Sequence, residues 1–496
     1  MVNRRYCRWA KTVCLTVYLL SAGFAAPAGA AEPELKKGWQ QQNEEWVYLD
    51  SSGVRVCNTW IREKDGSYYY LGEDGCMAVN TIIRDGDDIY YTDENGVRVK
   101  NQWVSEPNDD KSCDQEVEIL WYYFGDNGKA KNEEGKAVKI KEEGRTNKYF
   151  FDSDGHMLSG WQEITNKDGN QDIYYLGDQN EGYAHLLWQY LPPSEELLKD
   201  GSPGYDALEM FYFGYDGVMT RGKESKLEGH YFLFDENGVM GKGWYPGVTP
   251  TGEEFAVNKF YDEDTGARAV GWLYAYDQED EAETGDPHWF YCDKKNGSIY
   301  NEGGKDCIDQ VAAKNIDGHT YFFDSHGHMI TGLISTGGAD IKDSPFVLEE
   351  YCELSGDIGK TKGTRPAGIY YLSEKEGSLG QLQKDKALVL WDGKERYSYY
   401  LDPSGRAYTN AMVDGCVYDE TGLKCHGDFG WDIITMESDI YKENDYLRGT
   451  PKDGAEPVIP AGSRIIVNAS GKVKKAGRIE LDGATYIIEN YLVQEP

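Results

Sequence analysis

Gly38-Trp39, Gly160-Trp161, Gly243-Trp244, Gly271-Trp272 and Gly430-Trp431 recur along the chain, and Trp60 and Trp103 hold the same place without the glycine. A little further on come runs of rings such as Trp46-Val47-Tyr48-Leu49, Tyr68-Tyr69-Tyr70-Leu71 and Trp121-Tyr122-Tyr123-Phe124. Each run leads to a glycine, often followed two residues later by methionine, as in Gly75-Cys76-Met77, Gly155-His156-Met157, Gly217-Val218-Met219 and Gly238-Val239-Met240. Rings gathered in this way do not break bonds. They offer electron-rich faces, and a cation is held by such faces at roughly 0.5–2 kcal/mol each. Three rings supply about 3–5 kcal/mol, which is only millimolar binding. Several such places on one rigid array gain through effective concentration.

Groups that would do covalent chemistry are not arranged for it. The chain has no Gly-x-Ser-x-Gly elbow, no His-Glu-x-x-His helix and no phosphate-binding glycine loop. Asp262-x-Asp264-x-Gly266 lacks the downstream acidic ligand of a calcium loop, and His319, His326 and His328 lack a Cys or Glu pattern beside them. The chain is therefore expected not to be an enzyme and to hold no metal or cofactor.

The elements that must carry the rings are short. Aromatic and β-branched runs lead into Asp74-Gly75, Asn95-Gly96, Asp154-Gly155, Asp216-Gly217 and Asn237-Gly238, pairs that tolerate the positive φ of tight hairpin turns. Turn glycines such as Gly53, Gly75 and Gly96 fall 21 or 22 residues apart, a spacing that signals a repeat architecture. A lone two-stranded hairpin is marginal in water, so the units must stack. The predicted fold is all-β, a solenoid of stacked β-hairpin repeats with irregular insertions, for instance between Asn180 and Glu209 and between Ile334 and Gly368. Repeats are expected over 31–430, with 431–496 as divergent repeats or a cap.

Composition narrows the partners. The 496 residues carry 51 Lys and Arg against 86 Asp and Glu, a net charge of −35. Such a chain repels polyanions, so nucleic acid is not an expected partner. Residues 1–30 read as an export signal, with Arg4, Arg5, Arg8 and Lys11 before an apolar stretch from Val13 to Ala26 and Ala28-Gly29-Ala30 at its end. That stretch falls short of the ~18 apolar residues needed for a spanning helix, so export without membrane insertion is expected. Eight cysteines follow the signal, an even number that permits disulfides. Cys57 with Cys76, Cys292 with Cys307 and Cys416 with Cys425 are close in sequence, but the connectivity stays open.

Taken together, the Gly-Trp pairs, the W-Y-Y strands and the G-x-M tails resemble the choline-binding or cell-wall-binding repeat family over most of the chain. The resemblance implies a β-hairpin solenoid in which ligand sits between successive repeats, against the Gly-Trp ring, a ring of the hairpin strand and a ring of the following repeat. Related repeats occur in glucan-binding regions of secreted glucosyltransferases and in carbohydrate-binding ends of clostridial toxins. Carried over, the ligand-binding residues are Trp39, Trp46 and Trp60 at the start, Trp244, Trp272 and Trp289 in the middle, then Trp103 with Trp121, and Trp161 with Tyr174. Ile82 and Ile83, Leu333, and the Arg221-Gly222-Lys223 junction depart from the pattern and are expected to leave their cages incomplete. The implied partner is cell-wall choline or polysaccharide, with α-glucan or a host molecule as the alternatives and a secreted or wall-associated location.

Overall fold

Antiparallel two-stranded hairpins make up most of the sheets. The structure is a computed structural model describing residues 37–108, 118–194, 206–248, 254–276, 285–301, 310–337, 347–351, 353–358, 361–362, 368–447 and 450–494. The expected export signal over 1–30, and Cys113, Cys307 and Cys352, lie outside the described residues. Within those residues there is no α-helix, and the one helical turn is of 3-10 type, Glu443–Asp445. The chain divides into two units: one runs to Leu186 and includes Tyr215–Val218, the other takes Leu187–Gly214 and continues from Met219.

Among the described residues six hairpins build the first unit: β1 (Gly38–Gln42) with β2 (Glu45–Leu49), β3 (Thr59–Arg62) with β4 (Tyr68–Leu71), β5 (Thr81–Asp85) with β6 (Asp88–Thr92), β7 (Gln102–Pro107) with β8 (Ile119–Phe124), β9 (Val138–Glu142) with β10 (Arg145–Tyr149), and β11 (Trp161–Thr165) with β12 (Gln171–Tyr175). The second unit opens with β13 (Leu187–Leu191) and β14 (Glu209–Phe213), β15 (Lys223–Leu227) and β16 (His230–Phe234), β17 (Gly243–Val248) and β18 (Glu254–Tyr261), and β19 (Gly271–Ala275) and β20 (His288–Cys292). Alternation along the strands sends every second side chain inward. Leu49, Leu71, Phe124, Phe151 and Leu176 in the first unit, and Phe213, Phe234, Tyr261 and Phe323 in the second, are buried in this way. Successive hairpins stack on one another within each unit, which is the repeated all-β fold that the turn glycines and ring runs predict.

Acid residues build the turns. Asp50 Oδ1 accepts the backbone N–H of Ser52 (2.7 Å) and Val54 (3.0 Å), and Asp93, Asp235 and Asp402 accept the same pair of amides in their own turns. Part of the acidity thus has a local structural use.

The insertion between Ile334 and Gly368 is not irregular throughout. Val347–Tyr351 pairs in parallel with Gly332–Thr336, which also pairs antiparallel with Gly368–Leu372, and Glu353–Ile358 pairs in parallel with Gln310–Ile316. Further on, Trp431–Thr435 pairs with Arg464–Asn468, and Gly477–Leu481, Ala484–Glu489 and Leu492–Gln494 form a three-stranded sheet.

Two of the three close pairs, Cys57 with Cys76 and Cys416 with Cys425, are not joined, and Cys307 of the third lies outside the described residues. Cys57 and Cys76 are separate thiols: Cys76 Sγ donates to Glu45 Oε2 at 2.8 Å, whereas Cys57 Sγ faces the carbonyl of Arg55. The carboxylate beside Cys76 pushes its pKa up to about 11. Cys416 and Cys425 are also unbonded, because Cys425 packs with Val417 and its neighbours while Cys416 packs with Ala411, Val413 and Tyr418.

Candidate ring-lined seams between hairpins

Each seam begins with a left-handed residue that swings the first strand into place. Gly160, Gly243 and Gly271 have φ of +67°, +71° and +80°, and Asn58 and Asn101 take that conformation two residues before Trp60 and Trp103. The tryptophan then lies opposite a ring of its own hairpin, as in Trp39↔Tyr48, Trp60↔Tyr70, Trp103↔Tyr123 and Trp272↔Tyr291. It also meets a ring of the next hairpin edge to face: Trp39 with Tyr69 at 5.3 Å, Trp60 with Tyr90 at 5.1 Å, Trp103 with Tyr149 at 5.0 Å, and Trp272 with Tyr321 at 4.7 Å. Edge-to-face packing is the arrangement that aromatic quadrupoles favour, and it leaves each ring a free face.

Two seams share one geometry. Trp103 lies 6.4 Å from Trp121 at 86° and 5.9 Å from Phe151 in a stacked arrangement. Trp272 lies 6.3 Å from Trp289 at 87° and 6.0 Å from Phe323, again stacked. A methionine sits at the back of each. Met157 N–H donates to Trp121 O (2.8 Å) and Met329 N–H to Trp289 O (2.7 Å), and Met77 N–H makes the same bond to Trp46 O (2.7 Å) in the Trp39 seam. This place, two residues after a turn glycine, is called the seat below. Every methionine seat is closed from above by the turn glycine of the following hairpin: a Cβ on Gly96 would fall 2.8 Å from Met77, one on Gly182 2.1 Å from Met157 and one on Gly380 2.3 Å from Met329.

The Trp103 seam holds a half-open cavity of about 300 Å³ lined by Trp103, Trp121, Tyr149, Met157 and Tyr183 together with Glu142, Asn147, Asn180 and Glu181. The Glu142 carboxylate accepts from Trp103 Nε1 and, at 2.6 Å, from the Tyr149 hydroxyl. Burial, reinforced by that carboxylate, raises the Tyr149 pKa, so the phenol stays a donor at neutral pH. Carboxylates receive the indole N–H of earlier seams too, Glu63 from Trp39 (2.9 Å) and Asp85 from Trp60 (3.2 Å).

Sequence reasoning missed Trp188, which no glycine precedes. It contacts Tyr212 at 5.0 Å and Phe232 at 4.8 Å, and with Met210 and Met240 lines a cavity of about 290 Å³. Leu187 takes the left-handed role itself, at φ +61°. A leucine there carries strain of about 1 kcal/mol, so Leu187→Gly is expected to raise the urea midpoint of unfolding despite losing an exposed side chain.

Other expected sites are built differently. Trp161 contacts Tyr175 at 5.2 Å, but Tyr174 does not join it: Tyr174 is its neighbour's neighbour on the opposite strand face, paired across the hairpin with Gln162 and packed on Phe150 at 4.8 Å. The pairing of Trp161 with Tyr174 fails because adjacent residues of a strand point to opposite faces. Trp46 and Trp60, expected at one place, belong to successive seams, and Trp46 is 45% exposed. Trp244 packs on Phe260 (5.1 Å) and Phe290 (4.9 Å) over Ile299, so aliphatic carbon fills that seam. Ile82 and Leu333 stand where a tryptophan is expected and pack into buried clusters. Glu224 holds the tryptophan place of the junction after Gly222 and is bonded to Arg268 (2.8 Å), Lys259 (3.2 Å) and the Tyr261 hydroxyl (2.7 Å). Of the histidine cluster, His326 and His328 meet Asp324 with possible ligand atoms within 4.8 Å, and Asp324 Oδ1 already accepts both of their backbone N–H groups.

Residues 56–97 match the model of the choline-binding repeat and residues 37–54 that of the putative cell wall binding repeat. Among curated proteins it is similar to Glucosyltransferase-S of Streptococcus mutans serotype c, 23% identical over 74% of this chain and 25% of the relative. It is also similar to Glucosyltransferase-I of Streptococcus downei, 24% identical over 70% of this chain and 18% of the relative. The chain thus spans about a quarter or less of the length of these two. Among solved structures it resembles choline binding protein F from Streptococcus pneumoniae with a peptidoglycan analogue, 17% identical over 78% of this chain and 98% of that one, at a TM-score of 0.29. The modular autolysin LytC of the same organism with a synthetic peptidoglycan ligand is 16% identical over 62% and 57%, at a TM-score of 0.34. Among the described residues no helix is long and apolar enough to cross a membrane.

Proposed function

We propose that this is an exported, non-catalytic protein that attaches to a bacterial surface by holding choline-type quaternary ammonium groups of the cell wall in its methionine-backed seams. The Trp103 cavity carries the reading: rings on three sides suit a compact alkylated cation, and Glu142 places a negative charge behind two of them. A sugar hydroxyl can donate a hydrogen bond to that carboxylate, but only a cation gains from both the ring faces and the charge. The seams of Trp39, Trp188 and Trp272 add sites of the same kind, which turns weak single contacts into retention. A second reading, an α-glucan or other wall glycan on the same rings, is favoured by the similarity to glucosyltransferases and by the polar Asn147 and Asn180 at the cavity.

Fluorescence titration of the full chain with choline chloride and then with isomaltotriose separates the two. Choline is expected to act in the millimolar range, as weak ring cages should, with Trp103→Ala losing one binding equivalent. A response to isomaltotriose and none to choline would transfer the proposal to glycan, and silence toward both would end each.

A further inference from the structure

One seam is already filled. Trp60 and Tyr90 meet at 5.1 Å as in the open seams, with Tyr70 at 5.0 Å and Asp85 accepting the indole N–H. The residue in the seat is Arg98 instead of methionine, fixed by the equivalent backbone bond from its N–H to Tyr68 O (2.9 Å). Its guanidinium carbon lies 4.0 Å from the centre of the Tyr68 ring, 5.3 Å from Tyr90 and 5.4 Å from Trp60. Three rings therefore surround one cation of the chain's own. No carboxylate among the described residues pairs with it, and its Nε is buried without a hydrogen-bond partner. Gly128 closes the seat from above, where a Cβ would come within 2.8 Å of that Nε.

We propose that Arg98 is a built-in ligand: the Trp60–Tyr68–Tyr90 seam is a cation cage whose seat the chain occupies itself, so this seam rejects external ammonium groups and fixes which junctions of the array are competent. Arg268 makes the same use of its seat in the other unit. Its N–H donates to Tyr231 O (2.8 Å) and its guanidinium lies 4.0 Å from the centre of that ring. There Glu224 replaces the tryptophan and neutralises the charge, so the cage has become an ion pair. At Arg98 the rings are intact and the arginine side chain fills the seat, while Arg62 and Lys100 stand further off, 5.7 and 5.9 Å from the centre of the Tyr68 ring. Arginine suits this role because its planar, weakly hydrated cation stacks on ring faces.

The inference rests on the reading that open seams take a quaternary ammonium, and the test keeps the two apart. Full-length protein carrying 5-fluorotryptophan is titrated with tetramethylammonium chloride, and the fluorine resonances of Trp60 and Trp103, each assigned by its Trp→Phe variant, are followed together. In the wild type Trp103 is expected to shift while Trp60 stays still. In Arg98→Met, Trp60 is expected to shift with a midpoint within about tenfold of that of Trp103, since equal ring sets give similar cation affinity. Arg98→Lys, which keeps a cation in the seat, should leave Trp60 still. A wild-type Trp60 that titrates in step with Trp103 overturns the inference even if Arg98→Met does not fold, as does a folded Arg98→Met whose Trp60 is silent. A silent Trp103 beside a responsive Trp60 in Arg98→Met overturns the proposed function of the Trp103 seam and leaves this inference standing.

Discussion

Glu224→Gln is expected to lower the unfolding free energy by about 3 kcal/mol, the lower end of what removing one partner of a buried ion pair costs. The Arg268 side chain is only 3% exposed and would keep its charge with no carboxylate to meet it, and Lys259 would lose the same counter-charge, while the Tyr261 hydroxyl could still donate to the amide oxygen. The effect has a pH signature. Burial pushes the Glu224 carboxyl up, but the hydrogen bonds from Tyr261 and Arg268 and the charge of Lys259 outweigh it and hold the pKa below the usual glutamate value. A group whose folded pKa is depressed contributes stability above its unfolded pKa and loses it as pH falls through the folded one. The gap between wild type and Glu224→Gln should thus be full at pH 7 and close progressively below about pH 4. Urea midpoints across that range measure it, and a gap indifferent to pH would mean that the carboxylate is not engaged.

Gly182→Ala is expected to damage the Trp103 seam more than it damages the fold. At φ +63° an alanine costs about 1–2 kcal/mol, and its Cβ would fall 2.1 Å from Met157 Sδ. The thioether is the flexible end of its side chain, so it yields by turning into the cavity it backs. The expected result is a loss of ammonium affinity at Trp103 of more than tenfold with a modest fall in stability. Met157→Ala in the same chain removes the collision but not the backbone strain, so a double-mutant cycle should show binding recovered and stability not. Equal effects of Gly182→Ala on binding with and without Met157 would show that the two residues do not meet.

How far the sequence reaches is clearest at single positions. The ring runs and the Asp-Gly and Asn-Gly turns announce hairpins because their signals are local, lying within a few residues of the bonds they specify. The tryptophan series was legible wherever glycine preceded it, and Trp188 escaped because Leu187 adopts the glycine conformation unaided. Trp161 and Tyr174 were misjoined because only the register shows that Tyr175, and not Tyr174, stands opposite the indole. The arginine seats did leave a trace: Gly96-Val97-Arg98 and Gly266-Ala267-Arg268 repeat the spacing of Gly75-Cys76-Met77. What a linear reading lacks is the knowledge that this third residue reaches back into the preceding hairpin's rings. That depends on a backbone bond between residues 30 apart in the case of Arg98 and Tyr68, a non-local contact with no local signature.

The glycine that closes each seat carries a consequence for shortening the chain. Met77 reaches back to Trp46, belongs to the turn after Tyr69, and is roofed by Gly96, so one receptor is assembled from three successive modules. A truncation placed just after Tyr91 would preserve every ring around Trp39 and still strip off the roof. Fragments of such an array must therefore carry one module beyond the last ring they mean to keep.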